Sequence, residues 1–358
     1  MVMPHDDDVP GTRNGRFLAS GSREISGRFL PLGNNQNDVP NILSAFKQYN
    51  LGGKVVFPEG ERDLSISSSG IKIDGYGTGA INGDGDVWYT EEAGTTQPGR
   101  PMPFVLWNIS DVQVSNFAVD QPQLWSINIL NGTNMAFENI TVTVNATAAP
   151  EGENWAQNTD GFDTMEANNI TLKNFIFTGG DDCIAIKPRS YNIHAIDITC
   201  NGGNGIAIGS LGQCLEDSSV ENVVIENAKL PSTRFGTYIK TWMGHLVPQD
   251  RGVPRGGGWG VVRNITFSNF DVSESSRAVV ITHDNGNNGS FEGTSKMEIS
   301  EILFENFTGV LGSNNDVTVD CSEVNPCFDV VFEGLEVRGE DGEGIGGACK
   351  WVADGRGG

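Results

Sequence analysis

One short β-pattern recurs eight times along the chain, glycine is abundant (47 of 358 residues), and no helical periodicity separates the copies. Together these predict an all-β fold, a single-stranded right-handed parallel β-helix with a short N-terminal capping helix. Repeats of roughly 20 to 50 residues that each carry one strand pattern bury their apolar face only by stacking on their neighbours. A β-sandwich would instead place a strand about every 8 to 12 residues without one recurring phrase.

The elements follow in order. Residues 1–37 are read as an N-terminal extension, 38–338 as the β-helix, and 339–358 as an acidic, Gly-rich tail. The capping helix is expected from Asp38 to Asn50. Asp38 serves as N-cap, Pro40 lies in the first turn, Ile42, Leu43, Phe46 and Tyr49 form the apolar stripe, and Gly52-Gly53 ends it. A strand follows at Lys54–Pro58.

The repeated pattern then begins at Asp111-Val112-Gln113-Val114. It returns at Asn139-Ile140-Thr141-Val142, Asn169-Ile170-Thr171-Leu172, Asn192-Ile193, Asn222-Val223, Asn264-Ile265, Ile302-Leu303 and Val330-Val331, in steps of 28, 30, 23, 30, 42, 37 and 28. Asparagines at matching places predict side-chain ladders at the turns. The two longest steps mark insertions, 243–260 and 285–294, of the kind that wall the groove of a solenoid.

A formal net charge of -23 argues against a nucleic acid partner. It also means that a polyanionic substrate would need a local basic patch. No apolar run is long enough for a membrane helix. Among the six cysteines, the spacings Cys200 to Cys214 and Cys321 to Cys327 fit disulfide-closed loops, and Cys183, inside an apolar run, is read as a buried free thiol. Eight Asn-x-Ser/Thr sequons add to the expectation of a secreted, extracellular glycoprotein.

The most informative stretch holds three motifs: Asn158-Thr159-Asp160-Gly161, Gly179-Gly180-Asp181-Asp182-Cys183 and Gly203-Asn204-Gly205. Asp160 and Asp181 are 21 positions apart, and Asp181 and Asn204 are 23 apart. That is about one coil, so the motifs should stack at neighbouring coils roughly 4.8 Å apart. Gly179-Gly180 supplies the bend that lets Asp181 and Asp182 both face outwards. Three acids so close cannot all ionise without mutual cost, so at least one pKa should rise, giving a general acid beside a general base.

These motifs resemble the signature of glycoside hydrolase family 28, the polygalacturonases and rhamnogalacturonan hydrolases. The likeness runs from about Asp38 to Val337. It includes Asp84-Gly85-Asp86-Val87-Trp88-Tyr89, Arg100-Pro101 and Gln123-Leu124-Trp125-Ser126-Ile127-Asn128. The resemblance implies a pectin-lyase-like β-helix that hydrolyses pectin with inversion and without a cofactor or metal. It implies Asp181 as general acid and Asp160 and Asp182 as the pair that activates water. Lys240, in Tyr238-Ile239-Lys240, matches a lysine that holds a uronate carboxylate, and Asn158 and Asn204 fall among the substrate-binding positions.

Two positions depart from the polygalacturonase pattern. Asn204 replaces a histidine, and Tyr238 replaces an arginine that would clamp a carboxylate. The run Tyr238-Ile239-Lys240-Thr241-Trp242-Met243-Gly244 is most similar to the exo-acting fungal branch, which sets an exo-galacturonidase beside an exo-acting α-L-rhamnosidase or rhamnogalacturonan hydrolase. A catalytically inactive carbohydrate-binding β-helix is the reading from another class. Lys187, Trp242, Trp155, Trp259 and Arg255 complete the candidate substrate-binding residues. The expected partner is a pectic polysaccharide, with neither nucleic acid nor membrane, and the chain is expected to be a monomer.

Overall fold

The computed structural model describes residues 69–353, apart from 96–98, 249–253, 287–288 and 316, and the backbone of four earlier strands, β1 (Phe17–Gly21), β2 (Gly27–Phe29), β3 (Leu51–Val56) and β4 (Leu64–Ile66). The helix expected over Asp38–Asn50 lies outside the described residues. From β5 (Ser69–Asn82) to β19 (Gly347–Lys350) the strand pairings are parallel, and the sheet curls into a right-handed parallel β-helix. A short helix, α1 (Gly85–Glu92), interrupts the strands near the start.

The apolar residues of the repeat stack one above another inside the coil. Val112, Met135, Ile170, Ile193, Val223, Ile265, Ile302 and Val330 occupy one register position on successive coils. Five residues on, Phe117, Ile140, Phe175, Ile198, Ala228, Phe270, Phe307 and Leu335 make a second column. Towards the C-terminal end the columns become aromatic stacks, with Phe270 and Phe307 ring centroids 4.7 Å apart.

This register corrects the expected steps. Asn139-Ile140 sits over Asn116-Phe117, not over Asp111-Val112, whose true partner is Asn134-Met135. The first two steps are therefore 23 and 35 residues. Strands such as β7 (Ile127–Thr143) and β8 (Phe162–Thr178) carry two Asn-headed segments five residues apart, and the sequence alone could be aligned on either.

The expected ladders are present. Asp74, Asn116, Asn139 and Asn174 form one continuous chain of side-chain hydrogen bonds, and Asp197, Asn227, Asn269 and Asn306 form another. The asparagines of these ladders have positive φ, 52 to 57°. Asparagine tolerates that region better than other non-glycine residues, so one residue type turns the corner and ties the coils together.

A second stack of strands carries the functional face: the N-terminal part of β8 (Phe162–Thr178), then β9 (Asp182–Ile186), β11 (Gly205–Leu211), β13 (Thr237–Trp242), β15 (Val279–Asn285), β17 (Val317–Asp320) and β19. β19 pairs with β17 inside the segment read as a tail, and Trp351 packs against the core. The stack thus runs on through Lys350.

The cysteine pairing also differs from expectation. Cys200 bonds Cys183, not Cys214, and both sulfur-bearing residues are fully buried. Cys183 is therefore not a free thiol; Cys214 is free and exposed. Cys183 is the second residue of β9, and Cys200 is the last but one of β10 (Ser190–Asn201), so the bond closes the coil between them. Spacing along the chain misses this because closure follows the coil. The Cys321–Cys327 bond is as expected.

Candidate active site

The acids gather where the coil enters this second stack. Gly179 and Gly180 have φ of +82° and +70°, and a Cβ on Gly179 would lie 2.2 Å from the Val144 carbonyl oxygen. Only glycine fits that bend. It delivers Asp181 to the groove, half-buried, and Asp182 to the first position of β9. Backbone hydrogen bonds from Gly161 to the Asp182 carbonyl and from Asn204 to the Asp181 carbonyl lock the three motifs onto adjacent coils, as their spacing predicts.

Asp181 accepts hydrogen bonds from the Asn158 backbone N–H, at 2.6 Å, and from the Asn204 side-chain amide. Asp182 is paired with Lys240, whose Nζ lies 2.6 Å from its carboxylate. Asp160 is paired with Lys187 at 3.0 Å, and Lys187 also reaches Asp163 at 2.9 Å. Asp160, Asp163 and Asp182 are all at most 3% exposed.

Four carboxyl groups, three of them buried, thus stand around two ammonium groups, and not all four can carry charge. Burial, reinforced by the charges of Asp160 and Asp182, pushes the Asp181 pKa up to about 7. Burial also raises Asp182, which Lys240 opposes, and raises Asp163 well above the ordinary carboxylate range, which Lys187 opposes. Both lysines are held charged by their acid neighbours. The cluster therefore has one accessible carboxyl that stays protonated near neutrality, flanked by two anchored acids. That combination can donate a proton to a leaving oxygen and accept one from water.

Local packing explains the anchoring. On the outer face Ala185 and Ala207 stand in one row between Asp163 and Tyr238. Small side chains there leave room for the ammonium groups to lie across the sheet. Gly209 is paired with Lys240, and a Cβ on it would come within 2.8 Å of the Lys240 side chain.

Around the acids lies a cleft of about 430 Å³, with Trp125, Met165, Arg189 and Gln213 among its walls and Arg255 from the first insertion. The insertion is pinned there by hydrogen bonds from Gly256 and Gly258 to Gln213 and Gly212. On the other side of Asp181 a groove of about 790 Å³ runs past Asn204, Trp155 and Arg234.

Asn158, Asn204, Lys240 and Asp181 thus meet, and Tyr238 stands beside Lys240, its ring 5.4 Å from the ammonium. Three expectations change. Lys187 points at the acids and is saturated by two carboxylates, so it balances charge and is not a free carboxylate clamp. Trp242 is 8% exposed and lies under Gly286, because the register slips between Lys240 and Trp242 and turns the ring out of the outer row. Trp259 is exposed but lies at the start of β14 (Trp259–Asp271), outside the cleft.

Sequence reasoning missed Asp163, and it named Trp125 and Arg100 among the family's motifs without giving either a role. The signal for Asp163 was its place three residues after Asp160, at the head of a strand. The Lys187 ammonium lies 4.2 Å from the Trp125 ring centroid, which places that indole in the cleft wall. Arg100, buried, donates to the Gln123 and Gln157 carbonyls and pairs with Glu92 of α1 at 3.3 Å. It fixes the two loops that carry Trp125 and Asn158 into the cleft.

A long parallel β-helix with a groove of paired carboxyls on its outer face defines a class of polysaccharide-processing proteins. Within it, the chain belongs to the glycosyl hydrolases family 28, whose model matches residues 48–354, and it is a glycoside hydrolase. It is 48% identical to an Aspergillus niger protein named "Putative galacturan 1,4-alpha-galacturonidase C", over 90% of each chain. It is 30% identical to an "Exopolygalacturonase" of Cochliobolus carbonum, over 91% of this chain and 83% of the relative. Among solved structures it resembles the endo-xylogalacturonan hydrolase of Aspergillus tubingensis, at a TM-score of 0.71 and 21% identity, over 90% of this chain and 98% of the other.

Proposed function

We propose that the protein is a secreted, exo-acting galacturonan hydrolase that releases galacturonate from a chain end with inversion. Asp181 protonates the leaving glycosidic oxygen, and Asp160 and Asp182 activate the attacking water. Lys240 and Tyr238 contact the sugar beside the scissile bond. The observation that carries this reading is the raised Asp181 carboxyl set between two lysine-anchored acids in an open groove. The names of its relatives support galacturonan and exo action. Arg255, brought to the cleft by the insertion, supports a groove narrowed on one side. Two disulfides support an oxidising compartment.

Asn204 fits the same role. It donates to the Asp181 carboxylate without adding a charge of its own. The acid is then tuned by burial and by its carboxylate neighbours, and needs no histidine.

Product analysis on polygalacturonate tests the reading. Monomeric galacturonate, first seen as the β-anomer and abolished in Asp181→Asn, is the expected result. Oligomeric products would overturn exo action. Free rhamnose released only from rhamnogalacturonan would overturn the galacturonan assignment, and no turnover of either polymer would leave a binding protein.

A further inference from the structure

Two arginines lie beyond the acids, one coil apart, in a molecule whose formal net charge is -23. Arg234 sits on the coil above Asn204, its backbone N–H bonded to the Gly203 carbonyl, and Gly236 just after it bonds to the Arg277 carbonyl on the next coil. Both arginines line one depression of about 460 Å³ with Phe235, Thr318 and Asp320. Arg234 and Ser276 are shared with the groove that holds Asp181, so the two recesses form one path towards the C-terminal end of the rod.

Arg189 and Arg263 each pair with a glutamate at 2.6 and 2.5 Å, and Arg100 pairs with Glu92. Among the described residues neither Arg234 nor Arg277 has a carboxylate partner. Arg234 lies over the Phe235 ring, 5.0 Å from its centroid, and Arg277 donates to the Thr318 hydroxyl at 3.2 Å. Both guanidinium groups are steadied by neutral neighbours and keep donors for a planar anion. Among the described residues that line this recess Asp320 is the one acid, and burial raises its pKa, which favours its neutral form.

We infer that Arg234 and Arg277 are carboxylate-binding subsites for the first two uronate residues of the leaving chain, on the C-terminal side of the scissile bond. The inference rests on the galacturonan reading above. A coil step of about 4.8 Å is close to the length of one sugar residue, so arginines on successive coils can meet carboxylates on successive sugars. Arg234, on the same coil as Lys240 and beside Tyr238, supplies the guanidinium that Tyr238 does not. Arg277 is reached only by a chain one sugar longer.

Calorimetric binding to the Asp181→Asn protein, alongside turnover by enzyme with Asp181 intact, tests this with di-, tri- and tetragalacturonate and their methyl esters. Arg277→Gln should weaken the trimer and tetramer at least about tenfold, leave the dimer unchanged, and leave the esters unchanged. Arg234→Gln should weaken all three acids and none of the esters. Equal losses for acids and esters, or Arg277→Gln losses independent of length, would overturn the subsites while leaving the hydrolase reading intact. Turnover without any arginine effect has the same meaning. If the intact enzyme hydrolyses none of the oligomers and the Asp181→Asn protein binds none, the galacturonan reading falls and takes the subsites with it. Absent turnover with arginine-dependent binding would sustain the subsites and remove only the hydrolysis.

Discussion

At the scale of the residue, the Asp181 proton decides both rate and stability. A general acid must be protonated to act, so kcat should fall as pH rises through about 7. Asp181→Asn should cost about 10²- to 10⁴-fold in kcat, read from initial rates at the acid plateau. Its effect on stability has the opposite sign. Because the folded pKa is raised, the unfolded chain releases this proton first as pH climbs from the ordinary carboxylate range towards 7. Wild-type stability then falls by up to about 1.4 kcal/mol per pH unit from this one group. The amide removes that cost, and Asn204 can turn its own amide to match it. The variant should melt higher than wild type at pH 8 and no higher at pH 4; equal differences at both would refute the linkage. Lys187→Met, by contrast, strands Asp160 and Asp163 in the interior and should destabilise by about 3–5 kcal/mol, measured by denaturant unfolding at neutral pH.

At the scale of the element, the asparagine ladders separate two contributions that one side chain makes. Asn227 has φ of 57° and bonds to Asp197 and Asn269 on the coils either side. Asn227→Gly keeps the turn and loses the ladder; Asn227→Ala loses both. The alanine variant should therefore be the less stable by about 1 kcal/mol; a smaller or reversed difference in denaturant midpoint would mean the turn carries no strain.

The repeat and its turns were legible in the sequence, because alternating apolar residues and recurrent asparagines leave a mark at fixed intervals. The register of Asn134 against Asn139 was not, since both segments satisfy the same pattern and only neighbouring coils choose between them. The same limit applies to the site. Asp160, Asp181 and Asp182 stood out by motif, whereas the ammonium shared by Asp160 and Asp163 arises across 24 residues or more and leaves no local trace.

At the scale of the whole molecule, an acidic rod must take up an acidic polymer. Long-range repulsion is screened over about 8–10 Å at 0.10–0.15 M salt, while contacts in the groove are screened less. Modest salt should therefore speed capture of polygalacturonate before high salt weakens it, giving KM a minimum in an ionic-strength series. A monotonic rise in KM would mean that local arginines and lysines already dominate at low salt.

The Cys183–Cys200 bond has a further consequence. It begins one residue after Asp182, and both cysteines are shut off from solvent. A reducing agent cannot touch the sulfurs until that coil parts from its neighbours. The pace at which dithiothreitol silences the enzyme is then a clock for the breathing of the coil that bears the acids, and it can tick while the rest of the rod stays closed.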